Sequence, residues 1–144
     1  MSTAETGGFA ALESSPRQLL KRDAVSYWIS TGIVSAIMFW SAFNFAFNPA
    51  MKGAFAHLGL PNWFRAELTT AKFLGSFALV LPRTPHRIKE FAYFGFALTL
   101  ISASIAHVSS GDPFLYVVAH SMSLVSLAVS YRQYHRRIGA TAAM

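Results

Sequence analysis

The sequence predicts an all-α protein, an integral membrane four-helix bundle with a short interfacial helix between spans one and two. Three observations carry this reading. The chain of 144 residues is 53% hydrophobic and only 12% charged, whereas a soluble domain has about a quarter charged residues. Four apolar runs have the length of a bilayer crossing. The Lys and Arg residues gather on one side of those runs. The length suits one domain.

Ala24–Phe47 is 24 residues without Asp, Glu, Lys or Arg. A hydrocarbon core about 30 Å thick takes about 20 helical residues, so this run is span one. Asn48-Pro49 can cap and start a short helix that Gly59 and Pro61 end. Met51, Phe55 and Leu58 fall on one of its faces, which places it at the interface. Asn62 then caps span two, Trp63–Leu81, the one span that carries Arg65, Glu67 and Lys72. Thr84-Pro85 starts span three. Phe91–Ser110 is 20 residues whose only ionisable groups are His107 and the phenol of Tyr93. Gly111-Asp112-Pro113 stops that span and caps the next within one tight turn, making spans three and four antiparallel neighbours. Pro113–Tyr131, 19 residues interrupted by His120, is span four.

Residues 1–22 and 138–144 read as flexible tails around a transmembrane domain at 23–137. The polar leader is long, and the first apolar run exceeds the roughly 7–15 residues of a signal-peptide core, so a cleaved signal is not expected. With no cysteine in the chain, disulfides, thiol redox chemistry and Cys-ligated zinc or iron–sulfur sites are excluded.

The net charge of +6 invites a nucleic-acid reading, but that requires one basic patch or stripe. Four spans put both termini and the second linker on one side. That side holds Arg17, Lys21, Arg22, Arg83, Arg87, Lys89, Arg132, Arg136 and Arg137, nine in all, against Lys52 and Arg65 on the other. This is the positive-inside bias, so both termini are expected in the cytoplasm, with basic residues meeting anionic lipid head groups.

The remaining polar residues share a depth. Lys72 lies nine residues beyond Trp63, roughly 13 Å below the outer boundary at the α-helical rise. Glu67 and His107 lie about 6 Å deep, Asn44 about 7 Å and His120 about 10 Å on the same rise. Each span thus brings a polar group to the outer half of the bundle. An intramembrane charge costs about 2.5–3.5 kcal/mol on insertion scales and normally faces the bundle interior. Asn44, Lys72, His107 and His120 are therefore expected to line one outward-opening polar pocket, with Glu67 as a candidate charge partner for Lys72. Each has a plainer reading as well. Lys72 can extend its stem to the interface, Glu67 suits the positive start of a helix, and Asn44 and His120 can be interhelical hydrogen bonds.

Small residues at Ala119, Ser123, Ser126 and Ser130, and at Gly95, Ser102, Ala103 and Ala106, permit close helix contact. No EXXH or HXXXH spacing, phosphate loop, GXSXG elbow or dinucleotide fingerprint is present, so no metal and no catalytic residue is assigned.

Ala71-Lys72, Gly75, Pro82-Arg83, Lys89-Glu90, Ala92-Tyr93, Gly95, His107 and Gly111-Asp112, together with the opening YWISTG, resemble the core of DoxX-like membrane proteins over about residues 27–131. The resemblance implies a four-helix bundle of the bacterial inner membrane. It implies association with membrane redox systems, because the family is named for a subunit of a quinone-linked thiosulfate-oxidising system. It also singles out Lys72 and His107. The readings in competition are three. One is a redox-associated subunit binding a quinone-like ligand, the only cofactor expected, working with a redox partner or as a homo-oligomer. Another is a non-catalytic accessory subunit of a larger membrane complex. The last is a small-molecule carrier.

Overall fold

The computed structural model describes residues 16–142. They form five helices: α1 (Pro16–Phe47), α2 (Ala50–His57), α3 (Asn62–Val80), α4 (His86–Ser109) and α5 (Leu115–Ala142). Helix α1 begins at Pro16, inside the stretch read as a tail. Proline suits a first helical position, and Arg17, Gln18, Leu19, Leu20, Lys21 and Arg22 are all good helix formers with nothing to break the helix. Helix α5 likewise runs past residue 137 to Ala142, because no Pro or capping Gly stops it. Residues 1–15 of the expected leading tail lie outside the described residues.

The four long helices close a ring: α1 packs on α3 and α5, and α4 packs on the same two. Each contributes a narrow buried stripe at spacings of three and four, the period of one helix face. The stripes are Tyr27, Thr31, Val34, Met38 and Ala42 on α1, and Thr69, Lys72, Ser76 and Leu79 on α3. Lys89, Tyr93, Phe96 and Leu100 follow on α4, and Leu127, Ser130 and Tyr134 on α5. Polar groups on these stripes bond to one another. The Ser130 hydroxyl lies 2.9 Å from that of Thr31 and 2.8 Å from the Tyr93 phenol, tying α1, α4 and α5 at the centre.

The outer surface is apolar on every long helix. Exposed positions include Ile33 and Ile37 on α1, Leu74 and Phe77 on α3, Phe94 and Leu98 on α4, and Met122 and Val125 on α5. Among the described residues, two helices are long and apolar enough to cross a membrane, Lys21–Phe47 within α1 and His86–Ser109. The expectation of four spans is thus met on length and composition by two. Helix α3 carries Arg65, Glu67 and Lys72, and α5 carries His120 and a series of serines. These polar groups dilute the hydropathy of both.

The connections depart from the expected caps. Asn48 does cap: its carboxamide oxygen accepts from the Ala50 N–H at 3.1 Å. Asn62 does not, since it is already helical and accepts from the Arg65 guanidinium instead. The apolar face of α2 turns inward rather than toward lipid, with Phe55 buried edge-on against Phe45 of α1. Helices α2 and α4 end alike. Gly59 and Gly111 adopt φ of 71° and 73°, and the next amides, Leu60 and Asp112, reach back to the carbonyls of Phe55 and His107. This is the Schellman arrangement, which a left-handed glycine makes possible.

Candidate functional site

The two glycine-ended turns lie side by side at one end of the ring, and their polar residues meet there. The Asp112 carboxylate does not cap α5. One of its oxygens lies 2.8 Å from Nε2 of His57 at the end of α2, and the other 2.6 Å from Nδ1 of His107 on α4. These bonds hold the Asp112 carboxyl below its usual range, the His107 contact contributing most. His107 stacks face to face on Tyr116 at 4.4 Å, and its ring centroid lies 5.4 Å from that of His120. A chain of polar groups therefore runs from half-exposed His57 through Asp112 and His107 to His120. Among the described residues the Nδ1 of His120 is buried without a hydrogen-bond partner.

Lys72 lies on α3, which packs on α4. It is 6% exposed, on the buried stripe of α3. Its ammonium donates to the Ser41 hydroxyl at 2.8 Å and sits 4.0 Å above the Phe45 ring. Among the described residues no carboxylate pairs with it. An ammonium whose partners are one hydroxyl and one aromatic face keeps a donor unused.

The structure places the rings of His107 and His120 5.4 Å apart and sets Lys72 on the buried stripe of α3. It places the other two expected residues elsewhere. Asn44 turns back along its own helix to donate to the Trp40 carbonyl at 2.9 Å. Glu67 is exposed and makes no ion pair with Lys72. Arg65 instead pins the start of α3 to the end of α1 through the Phe45 carbonyl. Sequence reasoning missed Ser41, His57 and the bridging role of Asp112. Two signals pointed to them. Asp112 stood within the matched Gly111-Asp112 pair, and His57 precedes the Gly59 turn, at the same end of the chain's path. Among the described residues no three His, Asp or Glu side chains converge to hold a metal ion.

Two clefts open elsewhere. One, of about 390 Å³, is a groove between α1 and α3 along Gly32, Ser35, Ala36, Ser76 and Phe77. The other, of about 420 Å³, lies at the far end of the ring beside Tyr27, Lys89 and Arg137. Lys89 was expected as a surface cation meeting head groups. It is 4% exposed instead, because it falls on the buried stripe of α4.

The model of the DoxX-like family matches residues 29–131, most of the chain. The chain belongs to the DoxX-like family. No curated protein and no solved structure matches it. The family and the two apolar helices together mark a membrane-associated protein. Every member of the His–Asp–His–Lys group of this DoxX-like protein lies within the matched stretch.

Proposed function

We propose that this DoxX-like protein is a four-span subunit of the bacterial inner membrane, and that its polar group binds the oxygen-bearing head of an apolar-tailed, quinone-like molecule. Lys72 carries the reading: a buried ammonium whose partners are the neutral Ser41 hydroxyl and the Phe45 ring. A buried charge without a counter-ion is costly, and a ligand oxygen would satisfy it. Lys72 and His120 would donate to the ligand's oxygens, and the His107–Asp112–His57 chain would exchange protons with the outer water. The four-span topology draws support from exposed apolar side chains on α3 and α5 as well as on α1 and α4.

The test is organic extraction of purified full-length protein followed by mass spectrometry for quinones. Wild type should retain the ligand in near-stoichiometric amount, and Lys72→Met should lose at least about tenfold, the worth of one hydrogen bond to a charged group. Wild type that retains no quinone-like molecule overturns the reading.

A second reading has its own observation. The α1–α3 groove is floored by small residues, and Ser35 Oγ is buried there without a bond to the described residues. Such a surface accepts a partner helix closely. On this reading the protein is an accessory subunit, and Gly32→Leu would release it from its complex while Lys72→Met would not.

A further inference from the structure

The hydrogen bonds of Asp112 decide which nitrogen of His107 carries a hydrogen. One carboxylate oxygen lies 2.6 Å from Nδ1 of His107 and the other 2.8 Å from Nε2 of His57. The carboxyl is held below its usual range, chiefly by the His107 contact, so it is ionised and has no hydrogen to donate. Nδ1 of His107 must therefore be the donor. A neutral imidazole has one N–H and one lone pair, and the bond made by one nitrogen sets the role of the other. Nε2 of His107 is left as an acceptor. It makes no hydrogen bond to the described residues, and His120, with its ring centroid 5.4 Å away, does not supply one. Tyr116 stacks on the His107 ring at 4.4 Å and within 4° of parallel, which holds the ring plane. The same reasoning makes Nδ1 of His57 an acceptor, but that side chain is 55% exposed and can bond water. The His107 side chain is 17% exposed, so its lone pair has far less water to turn to.

We infer that His107 selects a head group that donates a hydrogen bond, the hydroxyl of a quinol rather than the carbonyl of a quinone. The inference rests on the quinone-like reading proposed above and names the redox form that is held. A quinone carbonyl has lone pairs only, and against Nε2 it would set two acceptors face to face. A quinol hydroxyl donates to Nε2. Its oxygens keep lone pairs, so the donor that Lys72 leaves unused beyond Ser41 suits the same ligand. A site built around a polar partner rejects an analogue that lacks it, because its own group is then left unpaired. Asp112 acts here as a positioning residue: it touches His107 and fixes which nitrogen meets the ligand.

The experiment measures binding to full-length protein in detergent, without oxygen, for three probes. They are a short-tailed benzoquinol, the matching benzoquinone, and the dimethyl ether of the quinol, which has no hydroxyl hydrogen. The quinol should bind about tenfold tighter than either of the others, the loss expected when a site's polar group is left unpaired. Asp112→Asn can offer an N–H to Nδ1 of His107 and so release the other tautomer, and in it the preference should vanish. Nitrogen-15 NMR of histidine-labelled wild type should show the hydrogen of His107 on Nδ1 and none on Nε2. Quinone bound as tightly as quinol, or the preference kept in Asp112→Asn, overturns the inference and leaves the quinone-like reading standing. Binding of none of the three probes overturns both. A hydrogen on Nε2 of His107 in the wild-type spectrum overturns the inference by itself, which keeps the test decisive if Asp112→Asn does not fold.

Discussion

Asp112 shows how much one side chain decides. Its two oxygens join α2 to α4 through His57 and His107, and those bonds hold its carboxyl below the ordinary range. A carboxyl depressed in the folded state contributes stability that is present above the unfolded value of about 3.9 and is lost as pH falls through the folded value. Thermal unfolding in detergent should therefore show a melting temperature that declines on acidification below about pH 4. Asp112→Asn should melt lower at neutral pH and lack that part of the decline. An unchanged acid profile in the variant would show that the two histidine bonds do not form. Lys72 and Lys89 make the same point differently. Each sits at a three-or-four spacing with buried neighbours, Lys72 with Thr69 and Ser76, and Lys89 with Tyr93 and Phe96. That pattern was legible for both, but Lys89 also stood in a basic linker, where a surface reading came first.

At the scale of elements, the contact of α3 with α4 depends on what Gly75 lacks. A Cβ there would stand 2.7 Å and 2.8 Å from ring atoms of Phe96. Phe96 is 3% exposed in the core, so its ring would have to shift among packed neighbours to admit the methyl. Gly75→Ala should therefore destabilise the protein by about 1–3 kcal/mol, the usual cost of overpacking, seen as a lower melting temperature. Gly53→Ala is the control. Nothing lies within 4 Å of its added carbon, in the middle of α2. It should stabilise by about 0.5–1 kcal/mol, because glycine is a poor helix interior. If both substitutions acted alike, the Phe96 contact would not be the cause. The small-residue stripes were only partly right. Ser130 is fully buried between Thr31 and Tyr93, whereas Ser102 faces outward.

At the scale of the whole molecule, apolar side chains cover the outside as well as filling most of the buried stripes. Serine, threonine and lysine lie on the buried stripes, while phenylalanine, leucine and isoleucine cover the outside. Hydrocarbon as the surrounding solvent makes that pattern favourable, since buried polar groups can pair and exposed apolar ones meet lipid. On the proposed four-span topology, leaving out buried Lys89 gives eight basic residues on one side against two on the other. Reporter fusions give the outcome. Alkaline phosphatase should be active when fused within residues 48–62 and inactive when fused after residue 144. Activity at the C-terminus would overturn the four-span topology.

Helix number, the glycine-ended turns and the positions of Lys72, His107 and His120 along their helices follow from local chemistry. Apolar run length, turn residues and the rise per residue are properties of the chain taken in order, so the sequence by itself determines them. The partners of those residues are another matter. Whether the Asp112 carboxylate capped α5 or bridged two histidines depended on where α2 docked, fifty-five residues away. Whether Asn44 joined Lys72 depended on its rotation about α1, and the carbonyl of Trp40 took its amide instead. Side chains of equal depth meet only when their helix faces turn toward one another. Tertiary packing sets that rotation, because the buried stripes of four helices must fit together at once.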